Sequence, residues 1–215
     1  MHRSTADVRD TYDEIADHFA KTREYPWPEV EEFLVERQGG VGLDLGCGNG
    51  RHAEALTDHT ERVLGLDVSR GLLETARERR AERSFDVDLI QGDASRLPVS
   101  TGSVDLAVYV ATLHHLPDRE TRVASLDELA RVLAADGSAL VSAWSTVHDR
   151  FDADEGFDTT VDWTLPGGEP VSRFYHIYDP DEFRADLDRS ALDPDDVFVS
   201  SGNCYAVVTT KGKRP

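Results

Sequence analysis

The segment Leu43-Asp44-Leu45-Gly46-Cys47-Gly48-Asn49-Gly50 joins a short apolar run, an acid and a Gly-x-Gly-x-Gly turn. Glycines are needed where backbone approaches a ligand closely or where φ is positive. A dinucleotide fold spaces them Gly-x-Gly-x-x-Gly so that a pyrophosphate reaches the helix N-terminus. The extra residue is absent here, and an acid before the turn repels a diphosphate but suits a cationic ligand. Asp67 follows 21 residues beyond Gly46, where a carboxylate can accept both hydroxyls of a ribose. Asp93, in Gln91-Gly92-Asp93-Ala94, ends the next apolar run, where it can meet an adenine amino group. Any one of these acids reads equally well as a helix cap or a turn residue. Three of them, ending three successive apolar runs, converge on one crevice.

The elements that must carry these groups alternate. Residues 5–22 place Val8, Tyr12, Ile15, Ala16 and Phe19 on one helical stripe. Pro26-Trp27-Pro28 breaks the chain, and Pro28 suits the first turn of a second helix, with Glu29, Glu31 and Glu32 near its positive end and Gly39-Gly40 stopping it. Strands are expected at 41–45, 63–66, 87–90, 104–110 and 139–144. Helices are expected at 51–57, at 69–83 behind a Ser69 cap, and from Asp118, with Val123, Leu126, Leu129 and Leu133 inward, to Asp136-Gly137. Residues 145–178 break the rhythm: they are long, acidic and aromatic-containing, with Pro166-Gly167-Gly168 inside. Asp179-Pro180-Asp181-Glu182 offers a cap, a first-turn proline and a capping-box glutamate for another helix. Val197–Ser200 and Tyr205–Thr210 read as an antiparallel pair. The alternation predicts a doubly wound, Rossmann-like α/β fold with a seven-stranded, mostly parallel sheet, N-terminal helices and a substrate-side insertion. One domain is expected over 1–215: a helical cap at 1–39, a ligand-binding core at 40–144, the insertion at 145–178, and a helix with a strand pair at 179–215.

Composition narrows the class. With 39% hydrophobic residues in 215, the chain can bury a proper core despite a net charge of −19. Its lysines are only Lys21, Lys211 and Lys213. Such an arginine-for-lysine, aspartate-rich profile is expected of a halophilic cytoplasmic protein, where molar salt screens charge over about 3 Å. Net charge therefore decides little about the substrate. No apolar run approaches the roughly 20 residues of a membrane span, and the N-terminus is polar from the start, so neither membrane insertion nor secretion is expected. Cys47 and Cys204 fit reduced thiols, and no Cys/His group has structural zinc spacing, so no metal is expected.

The 44–50 turn with Asp67 and Asp93 resembles the class I S-adenosylmethionine-dependent methyltransferases over roughly residues 40–145. The resemblance implies S-adenosyl-L-methionine as cofactor. Asp44, Gly46, Cys47, Gly48, Asn49 and Gly50 would hold its methionine part, Asp67 and Val68 its ribose and adenine face, and Asp93 and Ala94 the adenine edge. After the fourth strand, amine methylases carry Asn- or Asp-Pro-Pro-Tyr, and cytosine C5 chemistry needs a cysteine. This chain has Ala111-Thr112-Leu113-His114-His115-Leu116-Pro117 instead, which leaves oxygen or carbon methylation.

Thr22-Arg23-Glu24-Tyr25-Pro26-Trp27-Pro28, Leu113-His114-His115-Leu116, Val161-Asp162-Trp163, Arg173-Phe174-Tyr175-His176-Ile177-Tyr178 and Asn203-Cys204-Tyr205-Ala206 occur in that order. Together they resemble the tRNA wobble-uridine carboxymethyl methyltransferases, nearly end to end. That resemblance implies methylation of the carboxylate of 5-carboxymethyluridine at position 34, with the tRNA anticodon loop as substrate. It also implies a small zinc-binding activator subunit, forming a heterodimer at the edge strand Phe85–Ile90. A carboxylate needs cations to orient it, and Arg23, Arg173, His115 and His176 are the candidates, with Tyr175 and Trp163 to stack on a flipped uracil. His114 and His115 are not ranked. In an extended Arg173–Tyr178, alternate residues face opposite ways, so only part of that motif reaches a site. Tyr12 and Phe19 read as core, and Trp144 as packing or pocket lining. The basic surface expected for RNA is thin: Arg77, Arg79, Arg80 and Arg83, better read as a salt-bridged helix face, and the tail Lys211, Lys213 and Arg214. Rival readings are a small-molecule methyltransferase acting on a quinol or carboxylic acid, a non-catalytic scaffold, and a nicotinamide oxidoreductase disfavoured by the glycine spacing.

Overall fold

Ser4 begins the first helix by a reciprocal cap: its Oγ accepts the Asp7 N–H while the Asp7 carboxylate accepts the Ser4 N–H. That helix, α1 (Thr5–Ala20), buries Tyr12, Ile15 and Ala16. The computed structural model describes residues 4–212, so Lys213 and Arg214 of the basic tail lie outside the described residues. Pro28 opens α2 (Pro28–Leu34), which stops well short of the glycines. Gly39 and Gly40 instead start strand β1 (Gly39–Leu45), because the Asp105 carboxylate accepts the N–H groups of Gly40 and Val41, both at 2.8 Å. A Cβ on Gly39 would overlap that side chain.

The chain continues through α3 (Arg51–Leu56), β2 (Thr60–Asp67), α4 (Arg70–Arg83), β3 (Asp88–Gln91), β4 (Val104–Tyr109), a 3-10 turn (Leu113–His115) and α5 (Arg119–Val132). It ends with β5 (Leu133–Trp144), β6 (Phe157–Thr164), β7 (Pro170–Ile177), α6 (Pro180–Arg189), β8 (Leu192–Ser200) and β9 (Asn203–Thr210). Seven strands form one sheet in the order β3-β2-β1-β4-β5-β9-β8, parallel from β3 to β5, with β9 antiparallel to β5 and β8 antiparallel to β9. This is the doubly wound sheet expected, and both of its faces are buried. Along β4, Ala107 and Tyr109 pack toward α5, while Leu106 and Val108 pack toward Ala53 and Leu56 of α3.

The helix after β4 and the insertion differ most from the sequence pattern. The helix expected to run to Asp136-Gly137 ends at Val132, and Leu133 already pairs with Val104. The register then jumps to Leu106 opposite Ser138, so residues 134–137 bulge out of the strand. Gly137 fits there because a Cβ would strike the Val104 carbonyl. The insertion carries a hairpin of its own: β6 and β7 form a separate antiparallel sheet, with Thr159 opposite Tyr175 and Val161 opposite Arg173. Its base is fastened beside the carboxyl end of β5, where the Tyr178 N–H donates to the Trp144 carbonyl and the Thr146 N–H to the Tyr178 carbonyl. The hairpin therefore rises over the end of the sheet where the three acids emerge.

Candidate active site

The glycine turn is held down before it can hold anything else. The N–H groups of Gly46 and Cys47 both donate to the Leu66 carbonyl of β2, at 2.7 and 2.9 Å. Gly46 has φ +76°, and a Cβ there would overlap Thr112 of the loop after β4. Gly48 differs: at φ +53° a Cβ would meet nothing within 4 Å, because that side of the turn opens on a cavity. Ala111 also has positive φ, +56°, with its N–H donated to Ser142 Oγ, and so places strained backbone on the opposite wall.

Asp44 is 1% exposed and accepts the Ala53 N–H at 2.8 Å. Burial pushes its carboxyl up to about 7, with the nearby Asp67 adding to the shift and the Ala53 N–H opposing it. Asp67 accepts the N–H groups of Gly48 and Ser69, and burial raises it to about 6. Both carboxyls hold protons more tightly folded than unfolded. Their contribution to stability is therefore most favourable below the unfolded pKa near 4 and is lost as pH rises through about 6 to 7. A cationic ligand needs them ionised. We expect cofactor affinity to tighten about tenfold between pH 6 and pH 8 while the ligand-free protein loses stability over the same range, which calorimetric titration and thermal melts would check.

Asp67, Val68, Asp93 and Ala94 line one cavity of about 100 Å³, roofed by Val8, Tyr12 and Phe19 of α1. Asp13 clamps that roof to the start of α4, accepting from Ser69 Oγ at 2.6 Å and the Gly71 N–H at 2.9 Å. A second cavity of about 330 Å³ shares the wall made by Tyr12, Phe19, Gly46, Gly48, Thr112 and His115. Tyr12 and Phe19, expected in the core, thus also line both cavities. Asn49 does not spend its amide on the cavity. Its Nδ2 donates to the carbonyls of Ala20 and Arg23, which ties the end of α1 to the glycine turn. Cys47 is buried, and its Sγ faces Gly65 beneath the turn, so only its backbone can serve a ligand.

The larger cavity is basic. Arg23, Arg51, Arg150 and Arg173 line it, and no aspartate or glutamate does among the described residues. In a chain with 42 acidic residues, that absence is a local charge reversal. None of the four arginines forms an ion pair with a described carboxylate. Aromatic rings hold the inner pair instead: the Arg23 guanidinium lies 4.0 Å from the Phe19 ring centre, and Arg173 lies 5.0 and 5.2 Å from those of Trp163 and Tyr175. Burial lowers Arg23, and it lowers Arg51 to about 10 with the charge of Arg23 adding to the effect.

Several expected side chains change place or character. His115 supplies no cation: burial drives it down to about 3, its Nδ1–H donates to the Phe174 carbonyl, and its Nε2 accepts the Tyr12 hydroxyl, each at 2.9 Å. His114 is also held neutral by burial, and its Nδ1 accepts the Trp144 N–H at 2.8 Å, which leaves the ring proton on Nε2 as a donor at the cavity. His176 is on the opposite face of β7 from Arg173 and Tyr175. It bridges Asp158 at 2.7 Å and Glu182 at 3.0 Å, fastening the hairpin to α6. Glu182 is consequently engaged with His176, while Asp179 alone caps α6. Trp163 does not line the cavity; its Nε1–H donates to His18 Nδ1 and its ring backs the two arginines. Trp144 takes the lining position, edge-on to Tyr175 at 5.2 Å. Arg79 and Arg83 pair with Glu54 and Glu24 as a salt-bridged helix face. Arg51 and Arg150 carried no expectation. Arg51 adjoins the glycine turn and could have been found from that adjacency, whereas nothing local marks Arg150.

The chain's own residues fit S-adenosylmethionine. Buried Asp67 and half-buried Asp93 line one cavity, a glycine opens on the other where a side chain would intrude, and the two meet at the turn, behind which Asp44 is buried without lining either. That pairing suits a ligand with cationic sulfonium and ammonium groups beside an adenosine. Comparison with known proteins agrees. Residues 43–141 match the family described as Methyltransferase domain. The chain is 37% identical over 164 residues to the tRNA (carboxymethyluridine(34)-5-O)-methyltransferase of Saccharomyces cerevisiae, covering 74% of this chain and 57% of that one. It spans about a fifth of the length of the mammalian proteins of the same description that it also matches. Among solved structures, the DhpI–SAH complex superposes with a TM-score of 0.73 at 18% identity, covering 97% of this chain and 100% of that one. A chain from the complex of the Haloferax volcanii Trm112 methyltransferase activator with a methyltransferase gives 0.69 at 18% identity, covering 97% and 99%. Residues 43–141 thus form a class I S-adenosylmethionine-dependent methyltransferase domain, and the relatives that the chain resembles at 29–38% identity include proteins named tRNA (carboxymethyluridine(34)-5-O)-methyltransferase.

Proposed function

We propose that this protein transfers a methyl group from S-adenosylmethionine to the carboxylate of 5-carboxymethyluridine at wobble position 34 of tRNA. The observation that carries this reading is the segregation of charge across one wall, with carboxylates on the cofactor side and guanidiniums on the acceptor side. An anionic acceptor belongs in such a basic cavity; an amine would be repelled. A carboxylate is already ionised at neutral pH, so no general base is required, and the protein's work is to orient the acceptor and exclude water. The cofactor, when bound, supplies the electrophilic methyl group.

Each side chain then has a task. Arg173 forks onto the acceptor carboxylate and leaves one oxygen free to attack, and Arg23 beside it takes the carboxylate of the cofactor. Tyr175 and Trp144 flank the base. The Tyr12–His115–Phe174 chain of hydrogen bonds locks α1, the 3-10 turn and the hairpin together, which closes the reaction volume to water. His115 is in this sense a positioning residue, and His176 positions the hairpin from behind. Asp44 and the 46–50 turn serve the methionine part, Asp67 and Val68 the ribose and adenine face, and Asp93 and Ala94 the adenine edge. Residues 1–215 act as one domain, the 1–39 cap and the 145–178 insertion closing over the 40–144 core.

The open edge of β3, which is Asp88–Gln91 and not the expected Phe85–Ile90 because Phe85 packs against the core, pairs only with β2 among the described strands and is the docking place for a small zinc-binding activator subunit. Leu89 and Ile90 are half-buried there. A structural neighbour described as part of an activator complex supports this, as does the general reactivity of apolar sheet edges. The acidic surface fits a cytoplasm of high salt.

Nucleoside mass spectrometry tests the reading. The protein, alone and with the activator, is incubated in high salt with labelled cofactor and tRNA from a strain lacking this gene. A methyl-labelled uridine that mild alkali converts back to the acid is the expected product, with higher yield when the activator is present. Label in an organic extract and none in tRNA would instead support a small carboxylic acid or quinol as the acceptor.

A further inference from the structure

Four guanidiniums are more than the proposed chemistry consumes. The acceptor carboxylate engages one and the cofactor's own carboxylate engages another, which accounts for the inner pair, Arg23 and Arg173. Arg51 and Arg150 remain, drawn from two unrelated segments, the first residue of α3 and the stretch after β5. Neither forms an ion pair with a described carboxylate, and each lies over a tryptophan: Arg51 is 5.4 Å from the Trp27 ring centre and Arg150 is 5.9 Å from that of Trp144. Arg51 is half-buried and Arg150 exposed, so Arg150 stands at the mouth of the cavity. Burying or crowding like charges without counterions is unfavourable, and a protein this acidic had many carboxylates with which to neutralise them. Arg51 has only the Tyr25 carbonyl at 3.5 Å and the partly offsetting charge of buried Asp44 near it, and the absence of a direct ion pair at either guanidinium points to anions brought by the substrate.

We infer that Arg51 and Arg150 bind phosphodiester groups next to the target nucleotide, so that this cavity takes a nucleotide within a single-stranded polynucleotide and not a free carboxylic acid. A nucleotide inside a chain carries one phosphodiester on either side. With the two carboxylates, these make four anions for four guanidiniums. Trp27 and Trp144 offer ring faces beside them, the combination of stacking surface and cation that single-stranded nucleic acid uses. The general surface charge opposes RNA, and selectivity for RNA is concentrated at this mouth. The inference rests on the acceptor reading proposed above but makes a separate demand, since phosphate binding needs no methyl transfer.

The test separates the two. Arg51→Gln, Arg150→Gln and the double variant are compared with Arg184→Gln, which removes the same charge from an exposed position on α6. Binding to an anticodon stem-loop RNA is followed by fluorescence anisotropy over a salt series, with S-adenosylhomocysteine titration and thermal melts confirming that each variant is folded. Each cavity variant should lose about tenfold in RNA affinity and lower the slope of log K against log salt by about 0.7, while Arg184→Gln should behave as wild type. If the cavity variants bind RNA with wild-type affinity and slope, the phosphate role is overturned even when methyl transfer to tRNA is intact. If they lose RNA binding as expected but the wild type methylates no tRNA, the phosphate role stands and the acceptor reading falls.

Discussion

Replacing Gly48 with alanine should abolish cofactor binding while leaving the fold nearly untouched. The two effects separate because of where the residue sits. Its N–H is donated to Asp67 and its Cα faces open space, so a methyl group there meets no protein atom within 4 Å. The structural cost is that of putting alanine at φ +53°, about 1 kcal/mol, or about 3 °C in melting temperature for a chain of this size. The functional cost is different in kind. The methyl occupies the point where the turn must approach the cofactor, and affinity should fall at least about 100-fold. Calorimetric titration with S-adenosylhomocysteine reads the loss, and a thermal melt reads the cost to the fold. An alanine variant that binds normally would mean that the cofactor does not approach this turn. Gly46 makes an instructive contrast: a Cβ there strikes Thr112, so Gly46→Ala should lose stability and binding together.

Arg173→Met should lower kcat/KM for tRNA by about 10² to 10³, the worth of about 3 to 4 kcal/mol from a charge-assisted fork on a carboxylate in a dry site. Cofactor affinity should change little, because Arg173 comes from the hairpin and not from the turn. Arg173→Lys, which keeps the charge and loses the fork, should recover only part of the rate. Stability should move the other way. Arg173 is 6% exposed, its Nε has no partner among the described residues, and it forms no described ion pair, so an apolar side chain of similar length removes a buried charge that only the substrate neutralises. The methionine variant should melt at the wild-type temperature or above it. Lower stability with unchanged kcat/KM would instead assign Arg173 to packing.

The acids, the glycine turn and most strands were legible in the residue order because their signals are local. A strand end, a turn that needs positive φ and a cap each depend on a few neighbouring residues, and Asp44, Gly46, Gly48, Asp67 and Asp93 occur at such places. Where two local signals competed, the order of residues misled: Gly39-Gly40 and Asp136-Gly137 looked like helix stops, yet Gly39 pairs with Thr60 of β2 beside the Asp105 clamp on Gly40, and Asp136-Gly137 falls in a bulge within β5.

The acceptor side was written in types but not in positions. Alternation in Arg173–Tyr178 showed that two sets of side chains must part company. Which set meets the ligand depends on how the hairpin lands on the sheet, a contact between residues 59 apart for His115 and Phe174 and 103 apart for Tyr12 and His115. The same long-range packing exchanges Trp163 for Trp144 at the cavity wall, turns His115 from an expected cation into a neutral clasp, and draws His176 away between two carboxylates. It also gathers Arg23, Arg51, Arg150 and Arg173 from four segments into one cavity that no carboxylate lines among the described residues. Charge at a point in space is a sum over neighbours, and those neighbours are chosen by tertiary contacts that no stretch of sequence contains.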